Sequence, residues 1–125
     1  MAVELDHVIV RARDRQASAA FLADLLGIEV GVPSEPFLPV RVDNGVTLDY
    51  MQVSGPVATQ HYAFLVDDAV FDAALERITR DGVAYWAHPG HERPGEINRR
   101  MGGRGIYFDD PDGHAMEILT VSESS

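Results

Sequence analysis

The sequence predicts an α+β fold made of two βαβββ modules, and three observations carry that prediction. A strand, a helix and three short strands read in that order from about residue 3 to 53, and again from about 60 to 121. At an offset of 54 residues His7 falls on His61, Asp14 on Asp68, Ala19 on Ala73 and Ala20 on Ala74, and one added residue brings Gly27 onto Gly82. Gly55 and Pro56 punctuate the chain between the two copies. Internal repetition at about 55 residues points to two units that complete one domain, residues 1 to 125.

The elements follow from local chemistry. "VELDHVIV" (3 to 10) is an apolar strand interrupted by His7. In "RDRQASAAFLADLLG", Asp14 is placed to cap a helix, Phe21 and Leu25 lie four apart, as do Leu22 and Leu26, and Gly27 can end it. "IEVG", "LPVRV" and "VTLDYMQV" are three strand candidates, with "DNG" (43 to 45) as the turn between the last two. In the second copy "QHYAFLV" (60 to 66) is a strand that begins with His61. Asp68 is the expected cap of the second helix, with Phe71, Leu75 and Ile78 on its buried face before Gly82. "VAYWA" (83 to 87), "GIYF" (105 to 108) and "HAMEILTV" (114 to 121) supply the last three strands. Between them lies an insertion of about residues 90 to 101, polar and containing glycine, proline and arginines, expected as a loop over whatever the fold encloses.

Composition narrows the function. A chain of 125 residues, 46% hydrophobic and 24% charged, can bury a core without covalent staples. It has no run of about 18 apolar residues and no recognisable secretory signal, so a cytoplasmic location is expected. The absence of cysteine excludes disulfides and thiolate chemistry, and since all ten basic residues are arginine, lysine Schiff bases are excluded as well. A net charge of −10 disfavours nucleic acid and anionic membranes, leaving a small-molecule or protein partner.

Strand alternation then selects candidate site residues. His7 shares a face with Leu5 and Ile9, His61 with Ala63 and Leu65, and Glu117 with Ala115 and Leu119. In the second copy the larger apolar set is on the opposite face, expected to meet the helices, so His61 and Glu117, and with them His7 as the equivalent of His61, belong on the open face. A carboxylate among apolar neighbours is costly unless it is partnered. Two imidazoles and one carboxylate are the ligand inventory of a site that holds a divalent metal and leaves positions free for water, substrate or dioxygen. Laying "NGVTLD" (44 to 49) on "DGHAME" (112 to 117) places Asp49 on Glu117. His88 and His91 flank "PG" in the insertion, where a folded-over loop makes either a candidate general base. Arg99, Arg100 and Arg104 are candidates for an anionic substrate group, and Tyr50, Met51 and Trp86 for an aromatic pocket.

The motifs "LDHVIV", "QHYAFLV" and above all "GIYFDDPDGHAMEIL" resemble the vicinal oxygen chelate superfamily over nearly the whole chain. That superfamily includes glyoxalase I, extradiol dioxygenases, fosfomycin-resistance thiol transferases and bleomycin-binding proteins. The resemblance implies a curved mixed sheet around a metal-binding cleft, with His7, His61 and Glu117 as ligands. It implies Fe(II), or else Mn, Ni, Zn or Co, as the ion. It also implies a homodimer in which modules of two chains complete each cleft, so that His7 joins the site of its partner. Tyr107 stands at the place of a tyrosine that contacts substrate in dioxygenases and fosfomycin-type enzymes, and Asp49 where glyoxalase I carries a further glutamate ligand. A dioxygenase-like reaction on a small substrate chelated through neighbouring oxygens is the expectation. A glyoxalase I-type lyase, a fosfomycin-type thiol transferase and a non-catalytic drug-binding protein are the alternatives. The carboxyl-terminal "LTVSESS" lacks the basic residue that the transferases place after the last strand.

Overall fold

The computed structural model describes residues 2 to 123, and it divides into two compact units, Met1–Ala58 and Thr59–Ser125. The first contains β1 (His7–Ala12), α1 (Arg15–Leu26), β2 (Phe37–Arg41) and β3 (Thr47–Gln52). The second contains β4 (His61–Leu65), α2 (Asp68–Arg80), β5 (Tyr85–His88), β6 (Glu92–Pro94), β7 (Gly105–Asp109) and β8 (Ala115–Leu119). Each unit has its own mixed sheet, ordered β1-β3-β2 in the first and β4-β8-β7-β5-β6 in the second. The fold is therefore α+β as predicted.

Register demonstrates the repeat more directly than the residue matches do. β1 runs parallel to β3 with His7 opposite Thr47 and Ile9 opposite Asp49. β4 runs parallel to β8 with His61 opposite Ala115 and Ala63 opposite Glu117. In both units the acid therefore lies two residues further along the ladder than the histidine, on the same face. The antiparallel neighbours correspond too, since Pro39 faces Asp49 and Tyr107 faces Glu117.

The helices start and stop for local reasons. The Asp14 carboxylate accepts from the Ala17 amide at 3.1 Å, satisfying one of the orphan donors of the first turn. The cap of α2 is Asp67, whose carboxylate accepts from the Val70 amide at 2.8 Å, and not Asp68, which is the first helical residue. The expected alignment of Asp14 with Asp68 thus shifts by one, because the turn into α2 is shorter. Gly27 and Gly82 take left-handed conformations (φ 71° and 68°). The Ile28 and Val83 amides then reach back to the Ala23 and Ile78 carbonyls at 3.0 and 2.9 Å, closing both helices alike.

Two further expectations are corrected. "IEVG" forms no strand; Val30 makes a single bridge to Val40. Pro33 and Pro36 lack the amide donors needed to extend a ladder beyond it. The insertion is not only loop, because β6 returns along β5 with Trp86 opposite Pro94 and His88 opposite Glu92.

One face of each sheet is buried. Val10, Leu38, Val40, Leu48 and Tyr50 are packed in the first unit with Leu22 and Ala23 of α1. In the second, Ile106, Phe108, Met116 and Ile118 are buried, as are Phe71, Ala74 and Ile78 of α2. The opposite faces carry His7 in the first unit and His61 and Glu117 in the second.

Candidate active site

His61, Trp86, His88, Pro89, Gly90, His91, Tyr107, Asp109, Gly113 and Ala115 line a cavity of about 350 Å³ in the second unit. Four strands supply its floor because their registers bring His61, Ala115, Tyr107 and Trp86 onto one face. The β5–β6 hairpin supplies its rim. Pro89, Gly90 and His91 turn there, with Gly90 and His91 both at positive φ (76° and 62°).

At the floor, His61 Nε2 stands 3.0 Å from Glu117 Oε1. Glu117 is 3% exposed, and its second oxygen, Oε2, is buried without a hydrogen-bond partner. A carboxylate oxygen left in that condition costs free energy unless a cation meets it. Two donor atoms at adjacent corners of an octahedral ion, each about 2.1 Å from it, stand about 3 Å apart. The pair therefore fits a divalent metal by chemistry, by spacing and by its unmet acceptor. Among the described residues no three His, Asp or Glu side chains converge closely enough to hold an ion by themselves. His61 and Glu117 bring two donors together, while His7 belongs to the first unit.

His7 is exposed on the open face of the first sheet, where alternation and register also put Asp49 and Met51. Its Nδ1 is 2.8 Å from Asp6 Oδ2, and that bond, with the negative charges of Asp6 and Asp49, raises the imidazole pKa.

Tyr107 lies beside the His61–Glu117 pair, its ring 5.7 Å from that of His61. Burial and then the Glu117 charge push its phenol above the usual range, so it stays protonated at neutral pH. Arg100 donates to the Tyr107 hydroxyl oxygen at 3.1 Å and to Glu123 at 2.9 Å, and its guanidinium lies 5.8 Å from the ring centre. With its oxygen already accepting from Arg100, the hydroxyl turns its own hydrogen toward the Glu117 carboxylate, a bond that also favours the protonated phenol.

The rim holds a second pair. His91 Nε2 stands 2.8 Å from Asp109 Oδ2, and the His91 ring stacks on Trp86 at 3.9 Å and 15°. Asp109 was not foreseen as a site residue, although its place two residues after Tyr107 on one strand puts it on the same face.

Two expected substrate contacts are elsewhere. Tyr50 is fully buried on the face of Val10 and Leu38, so it is a core residue and not part of an open pocket. Arg104 is bonded to Asp72 at 2.7 Å and to Asp68 at 2.9 Å of α2, with its guanidinium 4.5 Å from the Phe71 ring centre. It clamps the helix and does not line the cavity. His114 is 1% exposed and accepts from the Gln60 amide at 3.0 Å. Asn98, also unforeseen, donates to the Ala87 carbonyl at 2.8 Å and accepts from the Arg100 amide, pinning the segment that carries Arg100.

The glyoxalase/bleomycin resistance protein/dioxygenase superfamily model matches residues 4 to 118. The chain belongs to this superfamily. Among solved structures of such folds, the oxidase ChaP-H1 superposes with a TM-score of 0.96 at 58% identity, covering 99% of this chain and 100% of that one. The oxidase ChaP-H2 gives 0.97 at 54% identity, covering 100% and 98%. A curated relative, the glutathione transferase FosA of Serratia marcescens, is 30% identical over 94% of this chain and 81% of its own length. No helix among the described residues is long and apolar enough to cross a membrane.

Proposed function

We propose that this superfamily member is a divalent-metal-dependent enzyme that oxidises a small substrate chelated through two neighbouring oxygens. The observation that carries the reading is the buried Glu117 carboxylate, half satisfied by His61 and half unmet, on the open face of a chain more than half identical to two oxidases. His61 and Glu117 would hold the ion, Fe(II) first among the candidates, with His7 as third ligand from the first module of this chain or of a partner in a homodimer. Asp49, at the register position equivalent to Glu117, is proposed beside His7 as a further ligand or carboxylate base. When bound, the ion supplies a Lewis acid and a template for the two substrate oxygens.

The protein's own groups do the rest. Tyr107, kept protonated and fixed by Arg100, donates a hydrogen bond to a substrate oxygen. Trp86 walls the cavity, which is large enough to surround a small cyclic compound. A cytoplasmic location completes the proposal.

The test is dioxygen uptake by protein restored with Fe(II), across compounds that carry vicinal oxygens. Substrate-dependent uptake supports the oxidase. A second reading, thiol transfer, has the FosA relationship in its favour, and consumption of glutathione without dioxygen would establish it instead. Turnover with Ni(II) or Zn(II) and no uptake would mark a lyase, for which Asp49 is the residue to examine.

A further inference from the structure

We infer that His91, oriented by Asp109, is the general base of this cavity and takes the proton from an acidic enol or phenol hydroxyl of the substrate. The inference rests on the reading of His61, in the same cavity, as a metal ligand. Geometry carries it. Both residues line the cavity, they are 2.8 Å apart, and neither is buried away from a ligand, with side chains 59% and 37% exposed.

An ionised carboxylate can only accept, so Nε2 of His91 carries the hydrogen that Asp109 receives. The other nitrogen, Nδ1, is left as the basic atom. Stacking on Trp86 fixes the plane of the ring, so carboxylate and indole together set tautomer and orientation, which is how an imidazole is prepared for proton transfer. In the step itself the substrate O–H bond breaks, the proton joins Nδ1, and the electron pair stays on the substrate oxygen. The resulting imidazolium is compensated by Asp109, and the exposed ring returns the proton to solvent. No further reactant is required.

The hairpin backbone is left-handed at both His91 (φ 62°) and Arg93 (φ 56°), a conformation that glycine takes freely and asparagine tolerates. The charged and titratable groups around His91 are Asp109 on β7, its chain neighbour Glu92, His88 across the hairpin with the Arg100 guanidinium 3.4 Å from its Nδ1, and His61 on the floor.

The probe is 4-nitrocatechol, whose visible colour reports loss of its hydroxyl protons, titrated at mildly acid pH into protein loaded with redox-silent Zn(II). Wild type should show the ionised colour. His91→Asn and His91→Gly both suit the left-handed backbone and should fold; each should lose the ionised band, and added imidazole should restore it in His91→Gly. Asp109 is a positioning residue. Asp109→Asn, whose amide donates to the ring and forces the hydrogen onto Nδ1, should lose the band while His91 remains. Ionised colour undiminished in His91→Asn, or absent from the wild type, overturns the inference. Loss of the band in His61→Ala alone, with His91→Asn unchanged, keeps the metal site and removes the base. Loss in His91→Asn with His61→Ala unchanged keeps the base and removes the metal reading.

Discussion

Three carboxylates near the cavity show how environment decides the role of a side chain. Glu117 has a buried oxygen without a partner and faces an imidazole, Asp109 is partly exposed and orients one, and Asp110 is buried in the turn between β7 and β8. Asp110 Oδ1 accepts from the Asp112 and His114 amides, each at 2.9 Å, while Oδ2 has no partner. Burial raises its pKa above the usual aspartate range despite those two bonds. The acid form therefore contributes stability below the ordinary aspartate pKa, and that contribution is lost as pH rises through the raised folded value. Asp110→Asn keeps the accepting oxygen and removes the charge. Denaturant unfolding should find it close to wild type near pH 4 and more stable by about 1 kcal/mol near pH 7; equal stability across that range would contradict the account. At Tyr107 the expectation concerns rate. Tyr107→Phe should lower kcat/KM for dioxygen-consuming turnover about 100-fold, the ordinary worth of a positioned proton donor, with little change in melting temperature.

Among the elements, the β5–β6 hairpin and the segment after it decide what the open face can do. Asn98, 7% exposed, links that segment to the Ala87 carbonyl of β5 and exchanges backbone bonds with Gly105 at the start of β7. Asn98→Ala should cost about 1 to 3 kcal/mol, since the buried Ala87 carbonyl loses its donor, and should loosen Arg100 and hence Tyr107. Thermal unfolding and Tyr107→Phe-like kinetics are the two readouts. Gly105 admits no side chain here, because an added Cβ would lie 2.9 Å from Asn98 Nδ2. Strands and helices of this unit were legible in sequence because alternation and fourfold spacing are local signals. The candidate site was legible where strands bring its residues together, as at His61, Tyr107 and Glu117. It was not legible where a loop decides it. Nothing local announces that the insertion folds into a strand, that Asn98 pins it, or that His91 meets Asp109 eighteen residues later in the chain.

Over the whole molecule, the repeat was written in landmark residues and is confirmed by register, yet the two copies have diverged. Where the second unit has Tyr107 and Glu117 the first has Pro39 and Asp49, and where the second has a full β5 the first has only the Val30 bridge. Arg104 and Tyr50 were misplaced because an arginine or tyrosine near a strand reads equally as core, clamp or site until its neighbours are known. The diverged copies concentrate the unmet carboxylate in one unit, and a metal that binds only the folded chain must stabilise it. A hundredfold excess of ion over its Kd should raise the unfolding free energy by about 2.7 kcal/mol. Equilibrium sedimentation should give about twice the 13.7 kDa chain mass if two chains complete the clefts. The most direct measurement is metal binding, by elemental analysis of protein purified without chelators and by competitive titration, in wild type, His61→Ala and Glu117→Gln. The account predicts a tightly held divalent ion in wild type and an affinity at least about 100-fold weaker in either variant; an affinity unchanged in His61→Ala would contradict it.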